Sequence, residues 1–362
     1  MREITMEELN ELKNPVIIDV RSPVEFKEGA IPGAINVPLF SDEERSDIGI
    51  IYKKDGSDAA KWKAMEIVSP KIPNLLRTIK EHTGPSGMPI IQCWRGGMRS
   101  KAVTAFLEFS GVSARRLQGG YKAFRQYSLK RIPELLPQKS IVIHGMTGTG
   151  KTEVLHLLAD KGYPVIDLEH LAGHRGSIFG AIGLGEGNSQ KTFDAMLYKR
   201  LAELGKPAYT IMEAESKRIG RIVQPNELMD VKTYGIHVQI HLPMEQRLKL
   251  IEHEYITPYE QEPWYHEKVK SALERIKKRI KIPEAKNKLE DDLDKKNYRG
   301  MIKTLLESYY DPMYEHKQLE YVGEFKDIYA DSIEDAARKI EDYLAELSLG
   351  PCIVSQTRGN SW

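Results

Sequence analysis

The chain has little cysteine, almost no net charge and no long apolar run. Cys93 and Cys352 are the only cysteines among 362 residues, too few for a disulfide framework or a cysteine-rich metal site. The 53 lysines and arginines nearly cancel the 52 aspartates and glutamates, which excludes a uniformly basic nucleic-acid-binding protein but allows a local basic patch. No stretch approaches the roughly 20 apolar residues of a membrane-spanning helix, and the N-terminus lacks the apolar segment of a signal peptide. We therefore expect a cytoplasmic protein with no membrane partner.

The length and the residue pattern predict two α/β domains. Hydrophobic residues make up 41% of the chain, enough for two separate cores. Short apolar strands alternate with helices in both halves, which is typical of parallel sheets. Prolines between positions 133 and 139 interrupt the pattern, so we expect a first domain over residues 1–132 and a second over 139–348. A charged insertion at about 41–87, a flexible tail over 349–362 and a monomeric state complete this prediction.

The first chemical signal is a cysteine in a loop rich in glycine and arginine. Cys93 ends an apolar strand and is followed by Trp94-Arg95-Gly96-Gly97-Met98-Arg99-Ser100, just ahead of a predicted helix. Glycine turns and a helix N-terminus direct backbone N–H groups at an anion, and Arg95 and Arg99 add full positive charges. Such surroundings favour a thiolate beside a bound oxyanion. The pattern predicts a catalytic Cys93 assisted by both arginines; a buried, inert cysteine is the alternative.

Three further motifs show that the first half resembles the rhodanese family: Ile18-Asp19-Val20-Arg21, Ile31-Pro32-Gly33-Ala34 and Leu117-Gln118-Gly119-Gly120-Tyr121. The resemblance implies that Cys93 carries a chalcogen as a persulfide or perselenide. Five residues separate Cys93 from Arg99, whereas ordinary sulfurtransferases of the family usually have four. The longer loop suits a larger oxyanion or chalcogen, and it also raises the alternative of a phosphatase-like site.

The second signal is a phosphate-binding loop. The segment fits the pattern G-x-x-x-x-G-K-[ST] between a predicted strand and a predicted helix, which is the context that the motif requires. Its backbone amides would surround phosphates, its lysine would pair with them, and its last threonine could ligate Mg²⁺. The motif predicts a di- or triphosphate ligand without identifying a nucleotide. The residues concerned are Gly145, Met146, Thr147, Gly148, Thr149, Gly150, Lys151 and Thr152.

Two acids and a glycine-rich loop are candidates to complete this site. Asp167 and Glu213 each follow an apolar strand, and either could hold a metal at the carboxyl edge of the sheet. Each could equally cap a helix or lie at the surface. His174 and Arg175 lie within His170–Gly180, which we interpret as an anion-binding loop, although a polar turn is the simpler alternative. The histidine spacing does not identify a metal site.

The third signal is a local basic helix within about residues 265–300. Nine lysines or arginines and two glutamates lie between positions 268 and 288, and apolar residues recur there at helical spacing, so the opposite face would be strongly basic. Two aromatic residues just ahead could stack on unpaired bases. A solvated helix face is the alternative interpretation. The candidate nucleic-acid contacts are Trp264, Tyr265, Arg275, Lys277, Lys278 and Arg279.

The pairing of a rhodanese-like domain with a phosphate-binding loop and His174-Arg175-Gly176-Ser177-Ile178-Phe179-Gly180 closely resembles the tRNA 2-selenouridine synthase family, over about residues 3–345. The resemblance implies an α/β chain, with a rhodanese-like parallel-sheet domain followed by a P-loop NTPase-like domain with additional C-terminal helices. Members of this family exchange sulfur for selenium at C2 of the 2-thiouridine in the wobble position of certain tRNAs. Selenophosphate is the selenium donor, and the family also transfers a geranyl group from geranyl diphosphate to the same sulfur.

The resemblance assigns a role to each signal. The phosphate-binding loop, with His174 and Arg175, would hold the diphosphate of geranyl diphosphate, and the basic helical region would contact tRNA. Cys93, Arg95 and Arg99 would bind selenophosphate or carry its selenium. No tightly bound cofactor is expected, and Mg²⁺ is the ion that could assist. The main alternative is an ATP-dependent, kinase-like enzyme fused to a persulfide-carrying sulfurtransferase.

Overall fold

The computed structural model describes residues 2–177, 179, 182–183, 185, 187–317 and 320–352. These residues form two compact units, one made of residues 2–134 with 191–203 and the other of 135–190 with 204–352. Each unit is built on its own parallel sheet, which confirms the predicted fold class. Most of the expected tail, from position 353 onward, lies outside the described residues.

The first unit has a parallel sheet whose described strands run in the order β1-β5-β4-β2-β3. The strands are β1 (Arg2–Ile4), β2 (Pro15–Asp19), β3 (Ile35–Asn36), β4 (Met88–Gln92) and β5 (Arg115–Leu117). The helices are α1 (Met6–Glu11), α2 (Pro23–Lys27), α3 (Asp42–Lys54), α4 (Gly56–Val68), α5 (Ile72–Thr83), α6 (Met98–Phe109) and α7 (Gly120–Leu135). Cys93 follows β4 and precedes α6, so the sheet places the cysteine loop at its carboxyl edge.

The predicted insertion folds as helices α3, α4 and α5. Ser41 begins α3 with a capping box, since its side chain accepts from the Glu44 amide and the Glu44 carboxylate accepts in return. Leu75 and Ile79 on α5 are buried in the core of the first unit. The insertion is therefore a helical part of that unit.

The second unit has a parallel sheet whose described strands run in the order β12-β11-β6-β8-β7, and a separate β9–β10 hairpin. The strands are β6 (Lys139–Gly145), β7 (Val165–Ile166), β8 (Tyr209–Glu213), β9 (Arg218–Ile219), β10 (Ile222–Val223), β11 (Ile236–His241) and β12 (Phe325–Tyr329). Because β6, β7 and β8 are parallel, the phosphate-binding loop, Asp167 and Glu213 share one edge of the sheet.

Of the helices that follow β6 along the chain, some cover the sheet and others build a second core, called the helical core here, mainly from residues between Leu248 and Tyr309. The helices are α8 (Lys151–Asp160), α9 (Leu168–Ala172), α10 (Gln190–Leu204), α11 (Asn226–Thr233), α12 (Met244–Ile251), α13 (Tyr265–Lys277), α14 (Pro283–Asp294), α15 (Tyr298–Leu305), α16 (Asp311–Lys317) and α17 (Ile333–Glu346). Two π-helices, Glu252–Ile256 and Leu306–Tyr310, continue α12 and α15. Among the described residues, the helices are too short or too polar to cross a bilayer.

Helix α10 groups with the first unit, although it lies within the segment expected to form the second domain. Asp194 accepts from the Arg125 guanidinium over 3.3 Å, and the rings of Tyr198 and Phe124 lie edge to face with their centroids 6.0 Å apart. Lys191 pairs with Glu28 over 2.9 Å. These contacts explain why Lys191–Glu203 belongs to the first compact unit.

Candidate functional site

The cysteine loop is held by the glycine pair of the Leu117–Tyr121 motif. Cys93 is only 3% exposed. Gly96 and Gly120 have φ angles of +61° and +57°, and a Cβ on Gly120 would lie 2.1 Å from the Cys93 carbonyl oxygen, so that position requires glycine. The Tyr121 amide donates to the same carbonyl over 2.9 Å. The start of α7 therefore fixes the backbone at the cysteine.

Within the cysteine loop Arg99 is half-buried, whereas Arg95 lies at the surface. Cys93 Sγ lies 3.2 Å from Ser100 Oγ. The Arg99 guanidinium pairs with the Glu25 carboxylate, with 3.1 Å between Nη2 and Oε1. Burial works to raise the pKa of Glu25, but the contacts with Arg99, helped by the Ser22 amide and Arg45, outweigh burial and hold this pKa below its usual value. Glu25 orients Arg99, whereas the Arg95 side chain is exposed.

The phosphate-binding loop joins β6 to α8, as the motif predicts. Gly148 and Gly150 have φ angles of +79° and +68°, and a Cβ on Gly148 would lie 2.6 Å from Ile251 Cδ1. Both positions therefore favour glycine. Thr149 Oγ1 donates to the Met146 carbonyl over 2.9 Å and stabilises the turn.

Several acidic side chains lie close to Lys151, and the sequence predicted only one of them, Glu213. Its Nζ donates to the Gly145 carbonyl over 3.0 Å. Burial works to lower the pKa of Lys151, but Tyr314, Glu169 and the neighbouring acids outweigh it and raise this pKa. Burial, reinforced by the nearby Glu215, raises the pKa of Glu169 to about 8.

Glu213 and Asp167 occupy different environments. Glu213 is fully buried at the end of β8, accepts from the Glu169 amide over 2.7 Å, and has its pKa raised well above the usual value by burial. Asp167 caps α9 by accepting from the His170 amide, and it also pairs with His156 Nε2, both over 2.8 Å. Glu169, two residues further on, lines the cavity described below, as do Glu153, Glu215 and Glu254, whereas Asp167 does not. Within the described residues, no cluster of three or more His, Cys, Asp or Glu could hold a metal ion.

His174 and Arg175, the two residues expected to bind an anion, have different surroundings. His174 Nδ1 accepts from the Gly176 amide over 3.1 Å, and burial lowers the pKa of its ring. His174 does not line the cavity, whereas Arg175 does. Arg175 Nε pairs with Glu254 Oε1 over 2.5 Å, and its guanidinium lies 4.9 Å from the centroid of the Tyr255 ring. Ile178 and Gly180 of the same segment lie outside the described residues.

An apolar cavity of about 260 Å³ begins at the phosphate-binding loop. The loop residues from Thr147 to Thr152, together with Glu169 and Arg175, form one part of its wall. Glu153, Glu215, Glu254 and Arg279 add further charged groups, and aliphatic side chains and tyrosine rings form most of the rest. They include Ile251, Tyr255, Tyr265, Val269, Met301, Ile302, Leu305, Leu306, Tyr309, Tyr310, Met313 and Tyr314. The site thus combines charged groups for a phosphate with an apolar compartment.

Two π-helices shape this cavity, and neither was predicted. Helix α12 ends at Ile251 and continues as the π-helix Glu252–Ile256, which contributes Tyr255. The π-helix Leu306–Tyr310 contributes Tyr309 and Tyr310. Such π turns occur frequently at functional sites. The signal available in the sequence was the concentration of tyrosine around positions 309–314.

Arg247 connects the phosphate-binding loop to the helices that line the cavity through hydrogen bonds to both. Its Nε donates to the Thr147 carbonyl over 2.9 Å. Its terminal nitrogens pair with both carboxylate oxygens of Asp311, over 2.6 and 2.9 Å. Bidentate pairing of this kind fixes both position and orientation. Arg247, missed from the sequence, therefore couples the phosphate end of the site to α16.

The basic helical region has a basic surface, but the predicted stacking role of Tyr265 is wrong. Helix α13 begins at Tyr265, which is only 2% exposed and packs in the helical core. Trp264 is 39% exposed and has Lys268 Nζ 5.1 Å from its ring. Lys277 pairs with Glu274 and Glu290, so its charge is locally balanced. Arg275, Lys278 and Arg279 are exposed, and Arg279 also donates to the Tyr309 hydroxyl over 3.3 Å.

Comparison with known proteins agrees with both halves of the structure. The model of the tRNA 2-selenouridine synthase AAA domain matches residues 138–347, and that of the rhodanese-like domain matches 5–127. The tRNA 2-selenouridine synthase of Hydrogenovibrio crunogenus is 34% identical, with 87% of this chain and 94% of the relative covered, and that of Psychromonas ingrahamii is 31% identical, with 88% and 93% covered. A solved rhodanese-like domain protein from Staphylococcus aureus is 26% identical over 34% of this chain and 91% of its own, with a TM-score of 0.23. The chain belongs to the tRNA 2-selenouridine synthase family.

Proposed function

We propose that this protein replaces sulfur with selenium in wobble-position 2-thiouridine of tRNA by two successive reactions. The first transfers a geranyl group from geranyl diphosphate to the tRNA sulfur at the phosphate-binding loop. The second uses selenophosphate, bound at the Cys93 loop, to replace the geranylated sulfur. The apolar cavity that opens beside Lys151 is the observation that carries the proposal, because it matches a ligand with a diphosphate head and a hydrocarbon chain.

The wall of the cavity favours a prenyl diphosphate over a nucleotide. Away from the loop it consists largely of aliphatic side chains and tyrosine rings, such as Ile302, Leu305 and Tyr309. A hydrocarbon chain gains free energy from burial against these groups. A nucleotide would place a polar base and ribose against the same surface and lose hydrogen bonds to water. The ATP-dependent, kinase-like alternative is therefore the weaker one.

In the first step, the thiocarbonyl sulfur attacks C1 of geranyl diphosphate. The new S–C1 bond forms as the C1–O bond to diphosphate breaks, and the uracil ring loses its N3 proton. Lys151, Arg175 and the loop amides would receive the departing diphosphate, because they place fixed positive charge where negative charge develops. Alkylation converts a poorly departing thiocarbonyl sulfur into one that can leave as a thiol.

Mg²⁺ is the ion that this loop would hold. Thr152 Oγ1 lies 3.0 Å from Glu169 Oε2, and the buried Glu213 Oε2 has no hydrogen-bond partner among the described residues. Hydroxyl and carboxylate oxygens are ligands that suit Mg²⁺. When bound, the ion would shield the charge of the departing diphosphate.

In the second step, selenium from selenophosphate bonds to C2 and geranylthiol leaves with a proton. The Cys93 thiolate then attacks phosphorus, so that an S–P bond forms as the Se–P bond breaks and selenium stays on C2. Water hydrolyses this S–P bond, which releases phosphate and restores the thiol. Carrying this selenium on Cys93 as a perselenide would require a two-electron oxidant, since the selenium starts and ends at the selenide level. We therefore assign Cys93 as the nucleophile that takes the phosphoryl group from selenium, with Arg95 and Arg99 binding the anion. Exposed Trp264, Arg275, Lys278 and Arg279 would contact the tRNA.

Calorimetric titration with three ligands tests the first site. Geranyl diphosphate is expected to bind at least tenfold more tightly than pyrophosphate. A tenfold difference requires roughly 1.4 kcal/mol, which burial of only about 55 Å² of apolar surface on the geranyl group supplies. ATP is expected to bind more weakly than geranyl diphosphate. Equal affinities for geranyl diphosphate and pyrophosphate would show that the cavity does not receive the chain. Preferential binding of ATP would favour the kinase-like alternative.

A further inference from the structure

We propose that Tyr265 and Met301 close the cavity at the end away from Lys151 and so set the longest prenyl chain that the site accepts. The inference rests on the proposed function, because it assumes that a prenyl diphosphate occupies this cavity. It goes further by assigning chain-length selectivity to two particular side chains.

Residues of the continuous helical segment Tyr298–Lys317 line the cavity, and their positions along the segment show which end of the cavity is nearer to Lys151. Tyr314 lies at the phosphate end, with its ring centroid 5.7 Å from Lys151 Nζ. Met301 lines the same cavity but lies thirteen residues earlier on this segment, which corresponds to roughly 20 Å along a helix axis. Between them, Leu305, Tyr309 and other residues of the segment also line the cavity. The cavity therefore extends from the phosphate-binding loop toward the first turn of α15.

The far end is formed by α15 and the start of α13. Tyr265, in the first turn of α13, and Val269, one turn later, line the cavity and are buried. The Tyr265 ring meets the Tyr298 ring edge to face, with centroids 5.1 Å apart. The Tyr298 hydroxyl in turn lies 3.1 Å from His266 Nδ1. These contacts hold the Tyr265 ring in place.

A fixed end wall distinguishes prenyl chains by length. A chain that is one isoprene unit too long would have to displace packed side chains, which destabilises the complex. A chain that is one unit too short would leave the far end unfilled and forfeit contacts. Removing the Tyr265 ring or the Met301 side chain should therefore shift the preference toward longer chains, and adding bulk at Val269 should shift it toward shorter ones.

The test compares tRNA alkylation by dimethylallyl, geranyl and farnesyl diphosphates, measured by nucleoside mass spectrometry. In Tyr265→Ala, the ratio of kcat/KM for farnesyl over geranyl diphosphate is expected to rise at least tenfold. Tyr234→Ala is the matched control, because Tyr234 is 73% exposed and does not line the cavity. Circular dichroism and thermal melting would establish that each variant is folded.

Two further variants decide the matter if Tyr265→Ala does not fold. Met301→Ala should also raise the farnesyl-to-geranyl ratio, and Val269→Phe should raise the ratio of dimethylallyl to geranyl transfer. Unchanged ratios in folded variants that still geranylate tRNA would overturn the chain-length assignment and leave the proposed function intact. No prenyl transfer by the wild type would instead contradict the proposed function itself.

Discussion

Cys93→Ala is expected to lower the rate of tRNA selenation by about a thousandfold, as loss of a nucleophile does, while S-geranylation stays within about twofold of the wild type. The thiol lies in the loop shared with Ser100 and Arg99, whereas the proposed prenyl diphosphate site is built from residues of the second unit. Geranylated 2-thiouridine should therefore accumulate. Nucleoside mass spectrometry of tRNA incubated with geranyl diphosphate and selenophosphate measures both products.

The other cysteine of the chain provides the matched control for this variant. Cys352→Ala removes a thiol of the second unit that lines neither site, so both reactions should continue at wild-type rates. If Cys93→Ala formed selenouridine as fast as the wild type, the role of this cysteine in the second step would be disproved. Loss of geranylation together with selenation would show that the two reactions are not separable in the proposed way.

Lys151→Ala is expected to lower the rate of geranylation by about a hundredfold to a thousandfold, the usual cost of removing one preorganised electrostatic contact with the developing charge. Lys151 is the cation at the centre of the phosphate-binding loop, and its raised pKa keeps it charged. Selenation of tRNA that has been geranylated beforehand should continue, because that step does not use the loop. Separate assays of the two steps, each by nucleoside mass spectrometry, measure these rates.

Lys161→Ala is the matched lysine control, since Lys161 directly follows α8 and pairs at the surface with Glu341. An exposed ion pair of this kind contributes little to stability, so geranylation should be unchanged. Undiminished geranylation in Lys151→Ala would exclude the loop as the diphosphate site. Equal losses in both lysine variants would indicate a general effect of charge on tRNA binding.

The fold was predictable from the sequence because its signals are local. Alternating strands and helices specify two parallel sheets, and the glycines around Lys151 require a phosphate-binding turn. The cavity was not predictable in the same way. Its wall combines the π-helix residue Tyr255, Val269 from α13 and the segment from Met301 to Tyr314, which are brought together only by tertiary packing.

Two site residues show where pattern reasoning loses its accuracy. Tyr265 was expected to stack on a base, but it is the first residue of α13 and its ring packs in the helical core. Asp167 was considered because it follows a strand, yet it caps α9, and Glu169 in the first turn of that helix lies beside Thr152 instead. The end of a strand in the sequence indicates roughly where a site lies. Which acid faces that site depends on which acid is used to cap the following helix.

The most direct test of the account is to give the wild-type protein tRNA containing 2-thiouridine, first with geranyl diphosphate alone and then with added selenophosphate. Nucleoside mass spectrometry should detect S-geranyl-2-thiouridine in the first stage and 2-selenouridine, with loss of the geranylated nucleoside, in the second. Formation of selenouridine without geranyl diphosphate, or a requirement for ATP in its place, would contradict the assignment of the cavity beside Lys151 to a prenyl diphosphate.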